Sequence, residues 1–373
     1  MADGPADVPH APARGTHRPG AVMVRKSGDL VTHHVRWAVC LGSVSLAAGL
    51  VLTACAPAAG PRHGPVLPGR WVRFRHVAGV VDLAGPRSDG SFIVAAAGRL
   101  FTLTRAGVLR PFARGPGGYA TAVGPEPYIA MTGSGRIAGA GCSFPSGMIF
   151  ALQPGSRPGI IAITPDGRAS RFTSLPSALA PDGITFDTTG RFGHRLLVTA
   201  RNHGATMVLA IDSAGDVRTI ASHAPAMEGG IAVAPASFGH YGGDLIAPNE
   251  TSGRVYAIRP DGTVVTLAVS GLPHGGDIGV ESAGFVPPRF GAGDAAYLAD
   301  RYSKGNKHPG TNSILRVPGS QLLKAGARPG DLLVATEGSA RTIAVRCANT
   351  CSVRYIAAGP AISHAEGHIV FTT

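Results

Sequence analysis

The chain has 373 residues, a formal net charge of +12, 53 glycines, 30 prolines and only 15% charged residues. That length suits one closed repeat domain or two ordinary ones, and the glycine-rich, aromatic-poor composition favours short strands joined by turns over long amphipathic helices. The positive charge does not point to a nucleic-acid partner. It is almost wholly arginine, scattered as at Arg168, Arg191, Arg218 and Arg254, with lysine confined to Lys26, Lys304, Lys307 and Lys324. A phosphate backbone needs clustered cations to displace its counterions. A generally basic surface, able to rest against acidic lipid or polymer, is the simpler reading.

Residues 1–22 are rich in Pro, Gly and Ala without periodicity, and are expected to be disordered or untranslated, Met23 being an alternative start. Arg25, Lys26 and Arg36 then lie ahead of or beside an uncharged apolar run, Trp37 to Ala54, so 23–54 reads as an export signal. Its end, Leu52-Thr53-Ala54-Cys55, resembles the bacterial lipobox, which implies cleavage before Cys55 and acylation of its thiol. An uncleaved anchor is the alternative, because the run approaches the ~20 residues that span a bilayer. Both readings place the remainder on the extracytoplasmic side of the cell membrane; acylation would hold it to membrane lipid through Cys55. Residues 55–70 are then a Pro/Gly-rich tether. Residues 71–373 form the folded domain, expected to act as a monomer.

Within that domain one phrase recurs: an alternating apolar strand, a turn, and a second alternating strand. It appears at Leu100–Leu103 with Gly107, Ile160–Ile163 with Pro165-Asp166-Gly167, Val208–Ile211 with Gly215, Val255–Ile258 with Pro260-Asp261-Gly262, and more loosely at Ile314–Val317 with Gly319. By subtraction these glycines lie 60, 48, 47 and 57 residues apart. Alternation of period two closed by Asp-Gly is a strong hairpin signal, and its recurrence at this spacing in a strand-rich chain predicts propeller blades.

Ahead of each hairpin an acid, usually followed by glycine, opens another apolar strand: Glu126-Pro127-Tyr128-Ile129, Asp182-Gly183-Ile184, Glu228-Gly229-Gly230-Ile231. Phe-Gly then introduces a further strand, at Phe192-Gly193, Phe238-Gly239 and Phe290-Gly291. Each unit therefore predicts an inner strand, a second strand and an outer hairpin. Trp71 to His76 is a candidate outer strand joining the ends of the ring. Residues 331–337, 341–347, 351–357 and 366–372 leave the last blade ambiguous. Cys347 and Cys351 flank a short turn, and in an oxidising compartment this spacing suits a disulfide closing a hairpin. A metal site there would need a second Cys or His pair, which the sequence lacks. Cys142 reads as a small buried residue.

Asp182-Gly183-Ile184-Thr185-Phe186, Tyr256-Ala257-Ile258 with Pro260-Asp261-Gly262, and the period of about 50 residues resemble the NHL-repeat and gluconolactonase-type propellers, which are TolB-like in architecture. The resemblance covers roughly 76–373 and implies an all-β, six-bladed β-propeller of four-stranded antiparallel blades. In the gluconolactonase-like group, acids where blades begin at the axis, with an Asn and an Asp from other blades, hold one divalent metal. Carried over, this implies Glu126, Asp182 and Glu228 as metal residues; His274 or Asp277, where a later innermost strand is expected to begin, is a further axial or rim candidate. Asn202, Asn249, Glu250 and Asp300, which end second strands, are further axial or rim candidates. The first blade departs from the pattern, since His76-Val77-Ala78-Gly79 carries no acid.

No Gly-x-Ser-x-Gly elbow, His-Glu-x-x-His helix or phosphate-binding loop occurs in the sequence. His203, His240, His274 and His364 fall in loops and are expected to be solvated. Two functional classes follow. One is a binding or scaffold module for an envelope protein, glycan or small-molecule ligand. The other is a lactone or ester hydrolase dependent on one calcium or zinc ion in the central channel. A quinoprotein-type sugar dehydrogenase is a third and weaker alternative.

Overall fold

The recurring hairpins form where their turn residues place them. Gly107, Gly167, Gly215 and Gly262 adopt φ from +80° to +94°, a region open to glycine at no steric cost. Each donates its N–H to the carbonyl three residues earlier, at 2.8–3.1 Å. This computed structural model describes residues 68–122, 126–133, 136–139 and 141–372. The expected export signal, Cys55 and most of the expected tether lie outside them. Among the described residues no helix is long and apolar enough to cross a membrane.

Four antiparallel sheets of four strands follow one another along the chain. From the inside outwards, the first is Val80–Ala84, Phe92–Ala96, Arg99–Leu103 and Leu109–Phe112. The second is Ile129–Met131, Ile149–Gln153, Gly159–Ile163 and Ala169–Ser174, with a small hairpin, Ile137–Gly139 and Cys142–Phe144, inserted after its first strand. The third is Ala180–Phe186, Leu196–Asn202, Ala205–Ile211 and Val217–Ala224; the fourth is Ala232–Val233, Leu245–Asn249, Arg254–Ile258 and Val264–Val269.

The remaining strands form one nine-stranded sheet. It contains two antiparallel runs: Val280–Phe285, Leu332–Thr336, Thr342–Cys347, Cys351–Ala358; and Ala365–Phe371, Ala295–Asp300, Ser313–Pro318, Val72–His76. A parallel bridge between Ala283 and His368 joins the runs, and Gly69–Arg70 adds a parallel strand outside Cys351–Ala358. Each innermost strand touches the next, and Ala365–Phe371 returns to Val80–Ala84. The protein is a β-propeller. Val72–His76, near the start of the described residues, and Ala365–Phe371, near their end, belong to the same run, so backbone hydrogen bonds tie the two regions together.

Apolar faces are covered by neighbouring sheets. Phe150 of the second sheet packs edge-on to Phe186 of the third at 5.5 Å and to Phe172 at 5.0 Å. Phe92 of the first sheet meets Tyr297 of the closing run at 5.1 Å. Each such side chain, fully buried, contributes about 1.5–3 kcal/mol that no sheet could gain alone.

Two features depart from the sequence reading. The strand after Phe290-Gly291 does not pair with Val280–Phe285; it pairs with Ala365–Phe371 and Ser313–Pro318, while Val280–Phe285 takes Leu332–Thr336. Both Ala295–Asp300 and Leu332–Thr336 are buried along their whole length. Neither shows the in–out alternation that assigns a strand to one partner. Gly319 makes no hairpin turn; it opens the helix Gly319–Ala325, which ends on Gly326 in the left-handed conformation. Cys347 and Cys351 are joined by a disulfide across paired positions of adjacent strands. Cys142 is buried, its Sγ 3.4 Å from the His194 carbonyl.

Candidate functional site: a buried acid–histidine cluster at the channel mouth

The glycine that follows an acid in the repeated phrase lets neighbouring inner strands approach closely. A Cβ on Gly229 would stand 2.2 Å from Cγ of Glu281 on the next inner strand. One on Gly367 would stand 2.3 Å from Asp82 Oδ1. The motif is therefore a packing device that crowds carboxylates around the axis.

Apart from Asp82, which pairs with His368, the carboxylates form one connected network at the end where the inner strands begin. At its centre lies His364, 2% exposed, with Nε2 at 2.6 Å from Glu337 Oε1 and 3.3 Å from Glu366 Oε1. The Tyr128 hydroxyl lies 2.6 Å from Glu366 Oε2 and 2.8 Å from Glu281 Oε1. Arg301 pairs with Glu126 and reaches Glu366 Oε1 at 3.2 Å. Beyond Glu337, the group Glu250, Asp277 and Glu337 brings carboxylate oxygens within 4.8 Å of one another. Glu250 in turn meets Glu228, and Arg201 links Glu228 Oε2 at 3.4 Å to Asp182 Oδ2 at 3.2 Å.

Proton placement follows from the bonding. One phenolic hydrogen cannot serve two ionised carboxylates, so either Glu281 or Glu366 carries a proton of its own. Burial, with Glu366 and Glu337 beside it, pushes Glu281 well above the usual carboxylate range. Burial also acts on Glu366, but the His364 bond, Arg301 and the His364 charge together hold it below. The proton therefore resides on Glu281. Burial lowers His364, yet its bonds to Glu337 and Glu366 outweigh this and raise it to about 10. Burial, then contact with Glu228 and Glu337, raises Glu250 to about 9. For Asp182 burial outweighs Arg201, and its pKa rises to about 8.

Five of the acids expected from sequence fall into three groups, and the other expected residues lie apart from them. Glu126 sits with Arg301, whereas Asp182 and Glu228 share Arg201. Glu250 and Asp277 come together with Glu337. Asp300 is buried and accepts the His364 backbone N–H at 2.8 Å and the Thr311 hydroxyl, which positions His364. Asn249 holds a turn, accepting from Ser252 N at 2.6 Å and donating to the Ala226 carbonyl. Asn202 is half-buried beside Met207 Sδ at 3.6 Å. His274 is exposed, its Nδ1 3.3 Å from the Leu272 carbonyl.

Sequence reasoning missed Glu281, Glu337 and Glu366, and it expected His364 to be solvated. That expectation fails, because the ring closure packs His364 between strands that are distant in sequence. Glu366-Gly367 repeats the acid–glycine signal and was legible. Glu281 lacks a following glycine; Glu337-Gly338 has the acid–glycine pair but ends a second strand, with no apolar strand opening after it. In the first sheet the acid is Asp82, inside the inner strand and not before it.

The far ends of the inner strands are apolar. They line an axial cavity of about 330 Å³ whose walls include Met131, Phe186, Phe285 and Phe371, with His368 reaching it. The fold and the cluster define the class: a β-propeller with an acidic, histidine-centred channel mouth.

Similarity to solved structures is distant. A gluconolactonase from Xanthomonas campestris aligns at 15% identity over 62% of this chain and 69% of that one, with a TM-score of 0.39. Virginiamycin B lyase from Staphylococcus aureus aligns at 13% identity over 79% and 95%, with a TM-score of 0.39. A TolB candidate from Agrobacterium tumefaciens aligns at 11% identity over 79% and 89%, with a TM-score of 0.40. No protein-family model matches the chain, and no curated protein matches it. The propeller assignment rests on the sheets themselves.

Proposed function

We propose that the channel mouth is a divalent-cation site and that the protein is a cation-dependent hydrolase of lactones or esters. The observation that carries this reading is Glu337. It is 4% exposed and spans two groups of potential ligands, and its Oε2 has no hydrogen-bond partner among the described residues. Without an ion the donor available to that buried oxygen is a proton held on the neighbouring Glu250, raised to about 9; a cation would replace that proton and offset the cost of burying the charge. Glu337, His364 and Glu366 offer donor atoms within 4.8 Å of one another, and an ion that displaces the proton these carboxylates otherwise hold on His364 would meet a mixed nitrogen–oxygen set that suits zinc or manganese and admits calcium less well.

When bound, such an ion polarises a carbonyl and makes water acidic enough to attack it. The protein's own groups do the rest. Asp300 fixes the backbone of His364, Tyr128 locks the orientation of Glu366, and Arg301 keeps Glu366 ionised.

As part of the same proposal, the propeller is held outside the membrane by acylated Cys55. Elemental analysis of the full chain, with hydrolysis of a lactone and ester panel before and after chelation, tests the reading. Stoichiometric metal and chelator-sensitive hydrolysis are expected; folded, metal-free, inactive protein would overturn it. A second reading, ligand capture without chemistry, is favoured by the apolar cavity of about 330 Å³ at the opposite end of the channel.

A further inference from the structure

Glu337 belongs to two donor groups at once. One is Glu337, His364 and Glu366; the other is Glu250, Asp277 and Glu337. In each group the donor atoms lie within 4.8 Å of one another, which is about the distance across an ion with oxygen ligands at ~2.4 Å on either side. The two oxygens of Glu337 are used unequally. Oε1 is bonded to His364 at 2.6 Å, whereas Oε2 is buried and has no hydrogen-bond partner among the described residues. Glu250, packed against Glu337, likewise has its Oε1 buried and without a partner. The two carboxyl groups thus face one another with no N–H between them, and without an ion only a proton held on Glu250 can join them.

We propose that the channel mouth holds two divalent cations bridged by the Glu337 carboxylate, one among Glu337, His364 and Glu366 and the other among Glu337, Glu250 and Asp277. This rests on the cation reading above for the first position and adds the second. Carboxylate-bridged ions sit roughly 3.5–4 Å apart in two-metal hydrolytic sites. The positions differ in chemistry. The first has an imidazole donor and lies deep; the second offers only oxygen and includes the exposed Asp277. Oxygen-only sites suit magnesium, calcium or manganese, and imidazole suits zinc, iron or manganese. Manganese satisfies both. Because Asp277 faces solvent, the second ion would keep open positions for water and substrate.

The competing arrangement is a proton shared between Glu250 and Glu337, which needs no second ion. Titration of the full chain with Mn²⁺ alone, with electron paramagnetic resonance of the loaded protein, separates the two. Two ions per chain and a spin-coupled spectrum are expected. Asp277→Asn, a change at an exposed position, should leave one ion and abolish the coupling. Glu337→Gln should weaken both positions at least ten-fold, the scale of losing a supporting ligand. One uncoupled ion in the wild type, unaffected by Asp277→Asn, would overturn the bridge while leaving the single-cation reading standing. No bound ion would overturn both.

Discussion

Asp82 and His368 form a buried pair that ties together four innermost strands. The Asp82 carboxylate lies 2.9 Å from His368 Nδ1 and accepts the His368 backbone N–H at 2.7 Å and the Ile129 backbone N–H at 2.8 Å. His368 Nε2 reaches the Ile184 carbonyl at 2.9 Å. Both ring nitrogens face acceptors, so both donate and the ring is an imidazolium. Burial alone would lower its pKa, but Asp82 outweighs that and raises it. The strands so joined come from the first, second and third sheets and from the C-terminus, which makes the pair a lock on ring closure.

Asp82→Ala should therefore cost about 3–5 kcal/mol, the scale of leaving one member of a buried ion pair alone. Denaturant unfolding of the two proteins measures it. A loss below about 1 kcal/mol, the worth of an exposed pair, would show that the ring closes without this lock.

Asp182 gives a pH dependence of definite sign. Its folded pKa is raised to about 8 from an ordinary carboxylate value, so the folded state binds the proton more tightly than the unfolded chain. Its contribution to stability is present at low pH and is lost as pH rises from about 4 toward about 8. Asp182→Asn, which stays neutral, should match the wild type near pH 4 and exceed it by pH 8 in urea midpoints. A stability gap that shrinks as pH rises would contradict the burial argument.

At Gly229, φ is +76° and an added Cβ would meet Glu281 Cγ at 2.2 Å and its carbonyl oxygen at 2.8 Å. Gly229→Ala should destabilise the fold by about 1–3 kcal/mol through backbone strain, and more if Glu281 is pushed off Tyr128. Thermal unfolding beside Mn²⁺ affinity reads both effects. An alanine variant unchanged in both would mean that the strands have room to separate.

For the membrane anchor, Cys55→Ala should move the protein from the membrane fraction to the soluble extracytoplasmic fraction. Immunoblotting of fractionated cells decides it. Complete retention would identify the apolar run from Trp37 to Ala54 as the anchor instead.

Much of the fold was legible because hairpins are local. Asp166-Gly167 and Asp261-Gly262 need only their own backbone to turn, and the alternating strands beside them show which face is buried. The pairing of Val280–Phe285 with Leu332–Thr336 was not legible, since wholly buried strands carry no alternation to choose a partner. The cluster was visible in part. Acid-glycine marked Asp182, Glu228 and, in retrospect, Glu337 and Glu366, while nothing local marked Glu281.

The sequence by itself determined that short apolar sheets recur and that glycines beside acids admit close neighbours. Only the tertiary structure decided which acids share a space, because His364, Glu337 and Glu250 meet through closure of the ring and not through any spacing along the chain. Backbone conformation is set by a residue and its neighbours, whereas the charge environment of a buried carboxylate is set by whatever the fold brings within a few ångströms of it.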